Sequence, residues 1–222
     1  MNTEELEARV KSLDDRLRIL EDTEEIERLQ RIYAYYLDYG MWEEFASLFS
    51  ENAESIEIAG FGLYLGKAGV ERVCRFMAAN RAPKVDGSRG NIDAMVVPHT
   101  LFHAMTLGQA VVDIAPGGDT ACGRWSLLEL ASRPMEGTWR QYWGGGPYEN
   151  EYIKEDGKWK FKKLYFHLAF KTPYHEEGWD GTQLVFSSQH PTFKPDRPST
   201  NDHPYPEFAA VPFHYKHPIT GR

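Results

Sequence analysis

Apolar positions recur at helical spacing along the first third of the chain, and at every second residue from Pro98 onward. Leu6, Val10, Leu13, Leu17 and Leu20 are separated alternately by four and three residues, with Glu, Asp, Arg and Lys between them. This is an a/d seam of about two heptads, too short to hold a coiled coil alone. It packs either on its own domain or on a neighbouring subunit. Asp22, with Glu25 three residues later, is in capping-box register and predicts the start of a second helix. Ile26, Leu29, Tyr33, Tyr36 and Leu37 form the stripe of that helix, which breaks at Gly40 before a short helix over 42–49. Residues 55–58 alternate as a strand, and Gly60, Gly62 and Gly66 punctuate a hairpin-like return. Residues 69–79 read as a third helix with Val70, Val73, Phe76 and Met77 on one side. The connection over 81–98 is long, and is either a functional lid or a plain loop.

Four long strands follow, over 99–114, 119–133, 138–153 and 158–170, with turns at PGGD, SRPMEG and EDG. Short turns between successive antiparallel strands make a meander. Helices first and a meander after predict an α+β fold, a curved sheet wrapped over helices. The glycines at 144–146 fall inside a strand pattern, where they predict a bend or bulge rather than a phosphate loop. Beyond 173 periodicity is lost and proline recurs, yet Trp179, Val185, Phe186, Phe193, Tyr205, Phe208, Phe213 and Tyr215 are too many apolar anchors for a disordered segment. The tail is expected to wrap the domain or a neighbouring subunit. The chain thus divides into a helical extension (1–21), an α+β domain (22–173) and a proline-rich tail (174–222).

Composition narrows the function. The net charge is −8 and no basic run occurs, which disfavours nucleic acid and anionic membrane as partners. The N-terminal stretch is charged, and no apolar run approaches a membrane span, so a cytoplasmic location is expected. Cys74 and Cys122 have no metal spacing and read as buried thiols. Aromatic residues make up 14% of the chain, which suits either a lined pocket or an aromatic-rich core.

Asp38 is the first candidate for chemistry. It closes a helix, where the macrodipole already supplies partial negative charge, so it needs either solvent or a specific partner. His103 is the partner expected. At period two it shares a strand face with His99, Leu101, Met105 and Leu107, and neither face of that strand is clearly polar. A strand histidine is either a hydrogen-bonded core residue or, with a carboxylate fixing its tautomer, a base. His99 and His103 lie about 13 Å apart at a rise of about 3.3 Å per residue, too far to share a metal ion. No metal or cofactor motif appears. Tyr33 and Tyr36 are either stripe residues or phenols near the site. His167, placed on a face with Tyr165 and Phe161, is a cavity, core or interface residue, and Tyr142 is a further aromatic lining candidate. His175, His190, His203, His214 and His217 read as structural or solvated.

YYLDYGMWEEFASLF, GLYLGKAGVERV, PHTLFH and GGGPYENEYIKEDGKWKFKKL resemble, in that order, the SnoaL-like branch of the nuclear transport factor 2-like superfamily, over roughly 22–173. The last of these is similar to the dehydrochlorinase and dehydratase members. The resemblance implies a cone-shaped α+β fold, a catalytic Asp38 and His103, a supporting Tyr33, and a homo-oligomer, with a trimer as its usual form. Length, tail and N-terminal helix resemble extended members acting on lignin-derived aromatic dimers, the diarylpropane γ-formaldehyde lyases. The expected function is a cofactor-independent lyase on an aromatic diol, lined by Tyr36, His99, Tyr142, Tyr165 and His167. A dehydratase or isomerase on a polyketide or steroid-like substrate, and a non-catalytic binding module, stand as alternatives.

Overall fold

The computed structural model describes residues 2–80, 102–135, 138–174, 192–200 and 210–221. Its elements run α1 (Thr3–Asp38), α2 (Trp42–Ser47), β1 (Ser55–Ile58), β2 (Gly62–Leu65), α3 (Gly66–Asn80), β3 (Phe102–Ile114), β4 (Thr120–Met135), β5 (Thr138–Glu155), β6 (Lys158–Phe166) and β7 (Phe170–Pro173). One sheet has the order β2-β1-β6-β5-β4-β3, with β7 paired to β5. All pairings are antiparallel except β1 with β6. The helices cover its inner face, where Phe45, Phe49, Ile56, Val70, Trp125, Tyr152, Phe161 and Leu164 form the core.

The predicted break at Asp22 does not occur. The capping box belongs to Asn2 and Glu5, whose side chains each bond the other's backbone N–H at 2.8 and 2.9 Å. Asp22 is instead buried mid-helix, accepting from Trp159 Nε1 at 2.8 Å and from Lys154 Nζ. With its carboxylate held by β5 and β6 it cannot fold back onto the helix backbone, so α1 runs through. The stop at Gly40 does occur. Gly40 has φ +67°, and its N–H bonds Leu37 O while Met41 N–H bonds Tyr36 O at 2.8 Å. This is a Schellman closure that leaves Asp38 as the last helical residue.

The sheet departs from simple alternation at two places. The β5–β6 register slips between Glu151 and Tyr152, leaving Lys162 as a bulge. The inward set on β6 is therefore Trp159, Phe161, Leu164 and Phe166, and Tyr165 falls on the opposite face from Phe161, not the same one. The predicted fourth strand also ends at Phe166 and resumes as β7, with His167–Ala169 between. That interruption lies against the glycine run: a Cβ on Gly146 would meet His167 O at 1.9 Å, while β5 keeps continuous register with β4 through Gly144, Gly145 and Gly146.

β3 is an edge strand with one face open: Phe102 is 49% exposed, while His103, Met105 and Leu107 turn inward. Described parts of the tail lie on the domain. Asp196 accepts from Leu65 N–H and from Arg72, and Arg124 donates to the carbonyls of Val211 and Pro212. Trp179, Val185, Phe186, Tyr205 and Phe208 lie outside the described residues, as does the 81–98 connection.

Candidate active site

Asp38 projects from the end of α1 toward β3. Its Oδ1 is 2.7 Å from His103 Nδ1, and its Oδ2 accepts the backbone N–H of Met105 at 3.1 Å. The carboxylate that the helix dipole disfavours thus receives two donors from the sheet. Nδ1–H pointing at Asp38 fixes the tautomer and turns Nε2 away from the helix. Both side chains are largely buried, at 8% and 17% exposure.

Nε2 does not face an empty space. It lies 3.1 Å from Glu129 Oε1, a carboxylate with 7% exposure. Register explains the approach. Ala131 sits opposite His103 and Glu129 opposite Met105, so Glu129 is the diagonal neighbour of His103 on the inner face. Across β4, Glu129 is opposite Gly144, and across β5, Gly144 is opposite Lys171. A Cβ on Gly144 would stand 2.8 Å from Glu129 Oε2. The absent side chain lets Lys171 reach across to Glu129, with Nζ 3.4 Å from both carboxylate oxygens. Lys171 Nζ also sits 4.4 Å from the Tyr142 ring centroid. A row of charges therefore runs Asp38, His103, Glu129, Lys171 and ends on an aromatic face.

Tyr33 and Tyr148 border this row. Their hydroxyls are 3.3 Å apart in a buried cluster with Phe45, Phe161 and Phe166. Burial pushes the Tyr148 phenol well above its ordinary pKa, and the Tyr33 phenol and the Glu129 and Asp38 carboxylates push the same way. Tyr148 thus stays a neutral donor beside two acids.

Of the sequence candidates, Asp38 and His103 meet directly, Tyr142 joins through Lys171, and Tyr33 bonds Tyr148, whose phenol feels the Asp38 and Glu129 charges. Tyr36 is part-buried against the core. His99 lies outside the described residues. Tyr165 uses its backbone N–H to bond Asn150 Oδ1 at 3.0 Å. His167 is buried beyond β6 and lines a cleft of about 580 Å³ with Arg124, Trp125 and Phe213, whose lining includes neither Asp38 nor His103. Sequence reasoning missed Glu129, Lys171 and Tyr148. The signal for Glu129 was available in LLELAS, a charge in phase with the buried Leu127 and Ala131.

Residues 18–165 match the profile of the SnoaL-like domain family, well over half of the chain. No curated protein matches it by sequence. Among solved structures it is similar to a candidate scytalone dehydratase from Novosphingobium aromaticivorans, at 22% identity over 72% of this chain and 92% of that one, with a TM-score of 0.53. It is also similar to the hexachlorocyclohexane dehydrochlorinase LinA-type3 from Novosphingobium barchaimii LL02, at 21% identity, 72% and 95% coverage, and a TM-score of 0.55. A type 2 LinA shares 23% identity over 73% of this chain and 93% of that one, also at 0.55. At these identities the likeness is one of fold.

Proposed function

The chain belongs to the SnoaL-like domain family and has the NTF2-like fold, and from that premise we propose that it is a cofactor-independent acid–base lyase acting on an aromatic hydroxylated small molecule. The observation that carries this is the buried contact between His103 Nδ1 and Asp38 Oδ1 at 2.7 Å. A carboxylate on one ring nitrogen raises the proton affinity of the other, which is what a general base needs. The names of two similar structures, a dehydratase and a dehydrochlorinase, denote loss of water and of hydrogen chloride.

The proton count supports an acid in the same place. A neutral imidazole has one N–H, and here it is committed to Asp38. The 3.1 Å approach of Glu129 to Nε2 is favourable only with a proton between them, carried by the ring or by Glu129. That proton serves a leaving hydroxyl, and the emptied Nε2 then accepts the next one. Lys171 keeps Glu129 in place, and Tyr148, held neutral, donates to oxygen as charge develops there.

The substrate proposed is a phenolic 1,2-diarylpropane-1,3-diol. Protonation of the benzylic hydroxyl and loss of the phenolic proton release water and leave a quinone methide. Deprotonation of the terminal CH₂OH then breaks its carbon–carbon bond. The electron pair forms the alkene and restores the phenolate, which is reprotonated. The sum is diol to stilbene, formaldehyde and water, with no net oxidation. Tyr142 and Tyr36 are proposed to line the ring-binding side, with His99 as a further lining candidate, whereas Tyr165, on the outer face, and His167, in the separate cleft, are not part of it.

The test is incubation of the purified chain with that diol, followed by formaldehyde release and stilbene absorbance. Both products should appear together. Asp38→Asn and His103→Ala should each cut turnover about 10²–10⁴-fold, with unchanged circular dichroism. Water loss without formaldehyde would indicate a dehydratase. Full activity in either variant would reject the dyad.

A further inference from the structure

The seam at the start of α1 is left uncovered by its own domain. Leu6, Val10, Leu13, Leu17 and Leu20 are 48%, 49%, 53%, 54% and 67% exposed. Residues 2–20 are exposed throughout, whereas from Ile26 the same helix buries Leu29, Tyr33, Ala34 and Leu37 against the sheet. The two faces differ in direction. At about 100° per residue, Ile26 lies about 120° round the helix from Leu20. The first half thus points an apolar stripe away from the domain, over roughly 21 Å of helix from Leu6 to Leu20.

The flanking charges identify what covers it. With Val10 and Leu17 at a and Leu6, Leu13 and Leu20 at d, the e positions are Glu7, Asp14 and Glu21, and the g positions include Arg9 and Arg16. Side by side in a parallel pair, a g residue meets the e residue five places on in the partner. Arg9 then faces Asp14 of a second copy, and Arg16 faces Glu21. In an antiparallel pair g meets g and e meets e, which sets Arg against Arg and acid against acid. The seam is therefore complementary to itself in one orientation. Leu fills every d position and Val10 and Leu17 fill the a positions, a seam compatible with two strands.

We propose that Thr3–Glu21 forms a parallel two-stranded coiled coil with the same segment of a second copy of this chain. Two heptads fail as an isolated peptide because nucleation is costly. Here the helix is already nucleated, capped by Asn2 at one end and locked into the core from Ile26 at the other. Only the apolar seam remains to be covered. The contact depends on neither Asp38 nor His103 and is independent of the proposed reaction.

The experiment is disulfide trapping on the full chain. Leu6→Cys is introduced with Cys122→Ser, leaving Cys74, which is buried with its thiol pushed up to about 12. Mild oxidation should link Leu6→Cys chains to one another, because d positions face each other in a parallel pair. Adding R9E/R16E, or D14R/E21R, should abolish most of the cross-link, since each variant places like charges opposite one another. Mixing the two variants in equal amounts should restore it as a heterodimer, resolved by a mass tag. All substitutions are on the exposed helix, and an unchanged melting temperature checks that each variant folds. No cross-link, a cross-link indifferent to charge reversal, or Leu6→Cys joining only to Leu17→Cys would overturn the proposal.

Discussion

Gly144 shows how one missing side chain organises the site. It stands between Lys171 and Glu129 in the row across β7, β5 and β4, and a methyl group there would press on Glu129 Oε2 from 2.8 Å. Gly144→Ala should shift that carboxylate away from His103 Nε2. Activity should fall by about 10²-fold, the cost of a displacement near 1 Å at a reacting group. Gly108→Ala is the control, because nothing among the described residues lies within 4 Å of where its Cβ would stand, and it should leave activity unchanged. Steady-state kinetics on both variants checks the pair. The same residue marks where sequence reading stopped. Asp38 was legible because an acid at a helix C-terminus is locally unfavourable and calls for a partner. Glu129 showed only as a charge in phase with Leu127 and Ala131; its partner row was not legible, because it depends on the β4–β5 register, and a GGG run inside a strand reads equally as a bend.

Among the elements, α1 and β6 carry the clearest lessons. The sequence DTEE at 22–25 has the form of a helix start, but Asp22 is held by Trp159 and Lys154 from the sheet and the helix continues. Tertiary bonding overrode a local cap. Asp22→Ala should therefore cost about 3 kcal/mol, because it strands a buried indole N–H and an ammonium group. A lowered urea midpoint at unchanged slope would report this. Local alternation likewise failed at Lys162, where a single extra residue moved Tyr165 to the opposite face. The β5–β6 hairpin holds an acid-sensitive contact as well. Glu155 accepts from Ser50, Lys160 and Asn52, and chiefly the Ser50 bond lowers its pKa to about 2 from the ordinary 4.5. A carboxylate with a depressed folded pKa stabilises fully above about pH 4.5 and loses that contribution as pH falls toward 2. Melting temperature should drop across this window, and Ser50→Ala should flatten the drop while lowering the plateau above it.

At the scale of the whole molecule, the order of helices and meander was readable because hydrophobic period alone separates them, but the course of the tail was not. Its described segments have no period; 192–200 is held by a backbone bridge between Leu63 and Arg197, by Asp196 and by Phe193 against the core, and 210–217 chiefly by polar contacts to β4 and β5. Arg124 makes the principal ones near the C-terminus. Its Nη1 donates to Glu149 at 2.7 Å and to the carbonyls of Val211 and Pro212 at 3.3 and 3.1 Å, and its guanidinium lies 4.3 Å from the Phe213 ring centroid. His214 adds a contact to the same Glu149. One planar cation thus ties two backbone acceptors, a carboxylate and a ring, a combination that Lys cannot reproduce. Arg124→Ala should free residues 210–217 while β4 and β5 hold, because those strands keep their full ladder. Hydrogen exchange should show protection lost in 210–217 and retained in 120–132, and Arg124→Lys should restore only part of it. Loss of protection across the sheet as well would mean that the tail is integral to the domain rather than fastened onto it.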